Sequence, residues 1–354
     1  MYARVCVGLL LCVLPGLTAD WNPKLAAEYL DARQEAWFAW PNSHNPANGV
    51  CLSCHTGLSY LLARPALRRA IRENEPTRFE LGLLADVEKR LSRWPPASAE
   101  VKAKAQASDE AGVESVLSAL LLASADARTG KLSAETEKAF DRLWALQLEA
   151  GPNKGAWNWE NFDLDPYEEP ASAFFGASLA AVAVGVAPSG YLADLQNEPN
   201  LAALRSYLLT NKGTQPLHNR LALAWASVKM KGLLSDTERK AWIEEAFRKQ
   251  APDGGWTVES LGTWSAHPKA PATTGSGAYA TAFAAFTLQE AGVSRNDRNL
   301  KRALDWLRSH QNLKAGYWDA PSMNKPYPAG SMQSQFMRDA ATAYAALALV
   351  GDNP

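Results

Sequence analysis

The chain has 354 residues, with 36 Lys and Arg against 37 Asp and Glu and a formal net charge of −1. That balance, without any basic run, gives no electrostatic case for nucleic acid as a partner. Four cysteines exclude a disulfide-stapled fold. Stability must therefore come from a hydrophobic core, and a chain of roughly 300 residues buries about three quarters of its unfolded surface.

The first residues read as an address. Arg4 is followed by the apolar stretch Val5–Leu14, then Pro15, Gly16 and the small residues Thr18 and Ala19 before Asp20. This is the pattern of a cleavable secretory signal. It is too short to span a membrane, which takes roughly 20 apolar residues. Leu9, Leu10 and Leu11 supply no small residue ahead of Cys12 for lipoprotein processing. The expectation is a signal peptide over 1–19, a single domain over 20–354, and a periplasmic or secreted protein without a membrane span after signal removal. Cleavage would leave Cys51 and Cys54.

Helical signals fill the rest. In chain order, Lys24–Trp40 pairs with Leu58–Ile71, and Phe79–Trp94 with Asp109–Ala125. Phe140–Glu160 precedes the small-residue stretch "PASAFFGASLAAVAVG", Pro170–Gly185. Leu201–Leu209 pairs with Leu217–Met230, Trp242–Glu259 with Thr274–Gly292, and Leu304–Ala320 with Phe336–Gly351. Each pair is a helical hairpin, and hairpins recurring about every 40–60 residues mean an array. The second helix of each strong pair is rich in Ala and Gly, which allow close approach between neighbours. Crowded inner helices with bulky outer partners predict an all-α fold, an α/α toroid of about six hairpins.

Three turns repeat one another: Gln147, Gly155 and Trp157; Gln250, Gly255 and Trp256; Gln311, Gly316 and Trp318. They resemble the Gln-Trp repeats of terpenoid cyclases of the squalene–hopene type, which fold as α/α toroids. The resemblance implies that each Gln caps a helix end and each Trp stacks against it, tying outer helices together. Such cyclases protonate their substrate with an Asp-x-Asp-Asp motif and carry two toroids. Here "NFDLDPYEEPASAFFGAS" (Asn161–Ser178) offers Asp163, Asp165, Glu168 and Glu169 without that motif, so cyclase activity does not follow. The four carboxylates are the catalytic candidates. Asp165-Pro166 reads equally as an extended or turn pair, and Glu168 and Glu169 as acidic residues favoured at a helix N-terminus.

"VCLSCHTG" (Val50–Gly57) resembles the haem-attachment motif of c-type cytochromes. The resemblance implies one covalent haem c on Cys51 and Cys54, with His55 ligating the iron. Zinc bound by two Cys and one His, or a plain Cys51–Cys54 disulfide, are the other readings; a thioredoxin-type pair would want a βαβ setting. Met323, Met332 and Met337 are candidates for a further iron ligand, as are His44, His218 and His267, although Met also serves as a core filler. Tyr60, Arg64 and Arg68 follow at helical spacing, where an arginine could meet a haem propionate or lie on a solvated face.

The expectation is an exported c-type haem protein for electron transfer or haem-based redox chemistry, with a redox partner protein or a small apolar substrate. The alternatives are a non-haem cyclase or hydrolase using the Asp163–Glu169 carboxylates, or a non-catalytic binding protein. Parallel inner helices carry a geometric expectation as well. The loops preceding them open on one face, so Cys51–His55, Asp163–Glu169, His218, His267 and Met323–Met332 should share one mouth, with Glu168 or Glu169 on the rim of His55.

Overall fold

A computed structural model describes residues 21–45, 49–94, 98–162, 165–188, 190–194, 198–264, 274–323 and 326–351. The signal segment 1–19, Asp163 and His267 lie outside the described residues.

Fifteen α-helices are described, and six form a closed inner ring. These are α2 (Gly57–Ala70), α5 (Asp109–Thr129), α7 (Ser172–Val186), α10 (Leu217–Lys229), α13 (Ala278–Glu290) and α15 (Phe336–Val350). Each packs on the next, and α15 packs back on α2. The outer layer holds α1 (Pro23–Ala39), α3 (Arg78–Leu91), α6 (Ala134–Ala145), α9 (Pro199–Asn211), α11 (Asp236–Arg248) and α14 (Arg298–Ser309). Three shorter helices, α4 (Ala99–Gln106), α8 (Tyr191–Asp194) and α12 (Val258–Leu261), lie in the connections. The six outer–inner pairs are the six hairpins read from the sequence, and the fold is an α/α toroid. A two-residue antiparallel ladder, β1 (His44–Asn45) with β2 (Gly49–Val50), leads into α2. No helix among the described residues is long and apolar enough to cross a membrane.

Local chemistry starts the outer helices. Thr77 with Glu80, and Ser235 with Glu238, form capping boxes at α3 and α11, satisfying backbone donors that a helix start leaves free. The inner helices α7 and α13 are buried on nearly every side. In α7 every residue from Ser172 to Val184 is buried, as expected for a helix enclosed by other helices. Gly176 shows why small residues are needed. A Cβ there would collide with the indole ring of Trp159.

The Gln and Trp turns form a repeated clasp. Trp157, Trp256 and Trp318 are fully buried. Their Nε1 atoms each donate at 2.7 Å to a carbonyl near the end of the preceding outer helix, at Leu143, Ala246 and Leu307. Removing a buried Trp side chain typically costs about 3–5 kcal/mol. Gln147 Nε2 donates to the Gly155 carbonyl in its own turn and to that of Asn200 at the start of α9. Gln250 repeats this with Gly254 and Asn299. Gln311 repeats it with Gly316 and Asn22, the N-cap of α1, and so closes the outer layer. In the second turn the clasped glycine is Gly254 instead of Gly255. Gly155, Gly254 and Gly316 all have positive φ and abut backbone carbonyls of the next outer helix, where a side chain would not fit.

The ring closes through a buried polar knot between α1, α2 and α15. Asp339 accepts from Arg33 Nε at 2.7 Å, Tyr29 Oη at 2.8 Å and Thr56 Oγ1 at 3.0 Å. A buried carboxylate this well paired offsets much of its desolvation penalty.

Candidate functional site

A cleft of about 210 Å³ opens at the end of the ring where the connections enter the inner helices. Its wall draws on Trp37 in the last turn of α1 and its C-cap Trp40, Cys51–His55 before α2, Glu110 and Glu114 on α5, Glu160, Phe162 and Glu168 before α7, and Phe336 on α15. Loops far apart in sequence thus meet at one mouth.

The Cys51–His55 loop is pinned from three sides. Trp37 Nε1 donates to the Cys51 carbonyl at 2.9 Å, and Cys51 N donates to the Ser43 carbonyl at 2.8 Å. Arg90 of α3 donates to the Val50 carbonyl at 2.8 Å. Below it, Gln34 Nε2 donates to the Thr56 carbonyl, and Thr56 reaches Asp339. The residues between α6 and α7 fold back on themselves. Phe162 N donates to the Glu168 carbonyl at 2.9 Å, and Trp159 Nε1 to that of Tyr167 at 2.8 Å. The Asp165–Pro166 bond is cis.

His55 is buried. Its ring stacks on Phe336 at 5.4 Å and meets Tyr167 edge-on at 4.8 Å. Its Nδ1 lies 3.9 Å from Glu168 Oε1, too long for a hydrogen bond. Burial pushes His55 down to about 4, with the Asp339 charge pulling weakly the other way. Burial alone pushes Glu168 up to about 7. At neutral pH His55 is therefore neutral, and the contact is not an ion pair despite its distance. Glu160 is also raised to about 7, by burial first and then by the charges of Asp109, Glu168 and Glu110.

Neighbouring carboxylates have different duties. Glu169 Oε2 accepts from Ala171 N at 2.9 Å, beside the N-terminus of α7, and burial raises its pKa against that hydrogen bond. Asp165 is half-buried and does not line the cleft. Glu160, Glu110, Glu114, Trp37 and Trp40 were not among the residues singled out by motif. No local spacing marks them, because they converge through the ring.

Behind the mouth, His218 lies in the core. Its Nε2 is 2.7 Å from Tyr279 Oη and its Nδ1 2.9 Å from Asn219 Oδ1, and burial lowers its pKa to about 4. The rings of Tyr167, Tyr279, Tyr344 and Phe283 surround it or one another.

The haem expectation is overturned at this site. Among the described residues, no group of three or more His, Cys, Asp or Glu side chains is placed to hold a metal ion, which removes the zinc reading as well. The cleft is smaller than the roughly 300 Å³ at which ligand pockets begin, and one face of the His55 ring is covered by Phe336. Cys51 and Cys54 are free thiols. Burial, with nearby glutamate charges, pushes Cys51 up to about 12 and Cys54 upward. Among the described residues, none of the proposed further ligands lines the cleft. Met332 Sδ accepts from Arg33 Nη2 at 2.8 Å, Met337 is buried in α15, and Met323 is partly buried against the core. His44 is exposed beside the Phe38 carbonyl. Tyr60 and Arg64 bond Asp31, Arg64 also pairs with Glu73, and Arg68 pairs with Glu80. These are hydrogen bonds and ion pairs that tie α2 to its neighbours, not propionate ligands. The spacing Cys51-x-x-Cys54-His55 is present without the space or the ligand set that a c-type cytochrome needs.

No family model matches the sequence, and no curated protein matches it. Among solved structures, the chain is similar to a polysaccharide lyase, with 13% sequence identity and a TM-score of 0.53. The match covers 93% of this chain and 97% of that one. At that identity the likeness is one of fold. It replaces the cyclase resemblance: the Gln and Trp clasps are hardware of a toroid and carry no cyclase or cytochrome identity.

Proposed function

We propose that the chain is a non-haem acid–base enzyme, a hydrolase that cleaves a neutral saccharide at the mouth of the toroid. The observation that carries this reading is Glu168, half-buried in an aromatic-walled cleft beside neutral His55. Glycoside hydrolysis uses two carboxyl groups, one protonated and one ionised. Glu160 and Glu168 are both raised to about 7, so near neutrality one can carry a proton while the other is ionised. In the reaction Glu168 gives its proton to the leaving glycosidic oxygen as the C–O bond breaks. Glu160 takes a proton from the attacking water. Trp37, Trp40 and the exposed Phe162 offer flat apolar faces to sugar rings.

The fold likeness to a polysaccharide lyase supports a saccharide substrate, but the mouth favours hydrolysis over elimination. Elimination removes a proton next to a uronate carboxylate, whose charge must be neutralised. The described lining holds four glutamates and no Lys or Arg. Export through the segment 1–19 belongs to the same proposal, since polymeric saccharides are met outside the cell membrane.

The test is release of reducing ends from a panel of neutral polysaccharides. Glu168→Gln should lower the rate by about 10²–10⁴-fold, the usual worth of a general acid. An ultraviolet-absorbing unsaturated product would mean elimination instead. Release by the wild type that Glu168→Gln leaves unchanged would move the chemistry elsewhere.

A further inference from the structure

A second cleft adjoins the first. It has a volume of about 270 Å³, and its lining includes Val101, Lys104 and Ala105 of α4, Ser108, and Arg142 of α6. Glu110 and Glu114 line both clefts, so the first turns of α5 are their common wall. Neither volume alone reaches the roughly 300 Å³ of an ordinary ligand pocket, whereas the two together do.

The chemistry of the junction narrows the ligand. Glu114 is 5% exposed and sits 3.3 Å from Arg90 Nε and 3.5 Å from Arg142 Nη2. Its charge is thus met by two guanidinium groups. Arg142 Nη1 is buried and has no hydrogen-bond partner among the described residues, although an unsatisfied buried donor costs about 1–3 kcal/mol. That atom has no exposed surface, so a ligand on this side meets polar groups at Lys104 and Ser108, which line the cleft. On the first side, Trp40 and Phe162 supply ring faces. One side stacks and the other hydrogen-bonds, which suits successive units of one chain.

We propose that the two clefts are one groove that binds a chain of neutral sugar units, one ring at the mouth and the next beyond Glu110 and Glu114 toward Arg142. This rests on the saccharide reading above and adds that length is recognised.

The experiment is calorimetric titration of the full chain carrying Glu168→Gln, which binds without cleaving, with the disaccharide and hexasaccharide of β-1,4-linked glucose, xylose and mannose. The series that binds should favour the hexasaccharide by about tenfold or more. Ala105→Trp, which fills the second cleft, should abolish that preference and leave disaccharide affinity unchanged. Val101→Trp, at a half-exposed position, should do the same without disturbing the packing of α4. Equal affinity for short and long chains, or a preference that survives both variants, overturns the groove while leaving the mouth reading intact. Failure of every probe to bind overturns the saccharide reading itself.

Discussion

His55 and Glu168 face each other across the toroid mouth with Nδ1 and Oε1 3.9 Å apart, each shifted by burial toward its neutral form. Their effects on stability run in opposite directions. An unfolded glutamate titrates near 4.5 and folded Glu168 near 7. Between those values the folded state keeps a proton that the unfolded state has lost, so rising pH removes stability. Folded His55 titrates near 4 and its unfolded form near 6.5. There the unfolded state holds the extra proton, and rising pH adds stability. Glu168→Gln should therefore climb in melting temperature between pH 4.5 and 6.5 more steeply than the wild type. It should also escape the wild-type decline up to about pH 7, an effect on the order of 2 kcal/mol. Identical profiles would show that Glu168 carries no such shift.

Gly176 couples the core to the mouth. The Trp159 ring occupies the space of its missing Cβ, and the Trp159 indole holds the Tyr167 carbonyl. Gly176→Ala should cost about 1–3 kcal/mol in denaturant unfolding, as overpacking does. It should also change the fluorescence of the mouth tryptophans. A gain from better helix propensity without loss of stability would contradict the packing described.

The clasps allow a matched comparison. Gln147→Ala and Gln311→Ala each remove two hydrogen bonds from one Nε2 and should each cost about 1–3 kcal/mol. Gln311→Ala alone should speed hydrogen exchange along α1, because its partner Asn22 caps that helix. Equal exchange in the two variants would mean that α1 is held by other contacts.

Both thiols should resist alkylation in the folded protein at pH 8, since thiolate is the reactive form and burial disfavours it at Cys51 and Cys54. After denaturation both should label fully, read by mass spectrometry. A sulfur blocked by a thioether would restore the haem reading.

The ring was legible because its signals are local: Ala-rich second helices in the three strong hairpins and a Gln-to-Gly clasp within each strong turn. Helix direction also foretold that Cys51–His55 and Glu168 meet at one mouth, but His218, Met323 and Met332 do not join them there. The cleft itself was less legible. Cys51, Cys54 and His55 carry a familiar spacing, but spacing says nothing about the room around an imidazole. Phe336 and Tyr167, from other hairpins, decide that. Glu168 and Glu169 are neighbours in sequence, yet one lines the cleft and the other bonds the backbone before α7. Trp37 and Glu160 were read within their own segments, where nothing distinguishes a wall of a cleft from a brace.

The knot in which Asp339 gathers Tyr29, Arg33 and Thr56 has a consequence for biosynthesis. α1, α2 and the His55 loop leave the ribosome well before their partner on α15, which lies 310 residues beyond Tyr29. A nascent chain that stops short of α15 has neither the carboxylate that anchors Thr56 nor the Phe336 ring that covers His55. Domains fold largely as they are made, but contacts between distant segments wait for loop closure. The mouth is thus completed only once α15 has been made, and chains truncated before it lack both contacts.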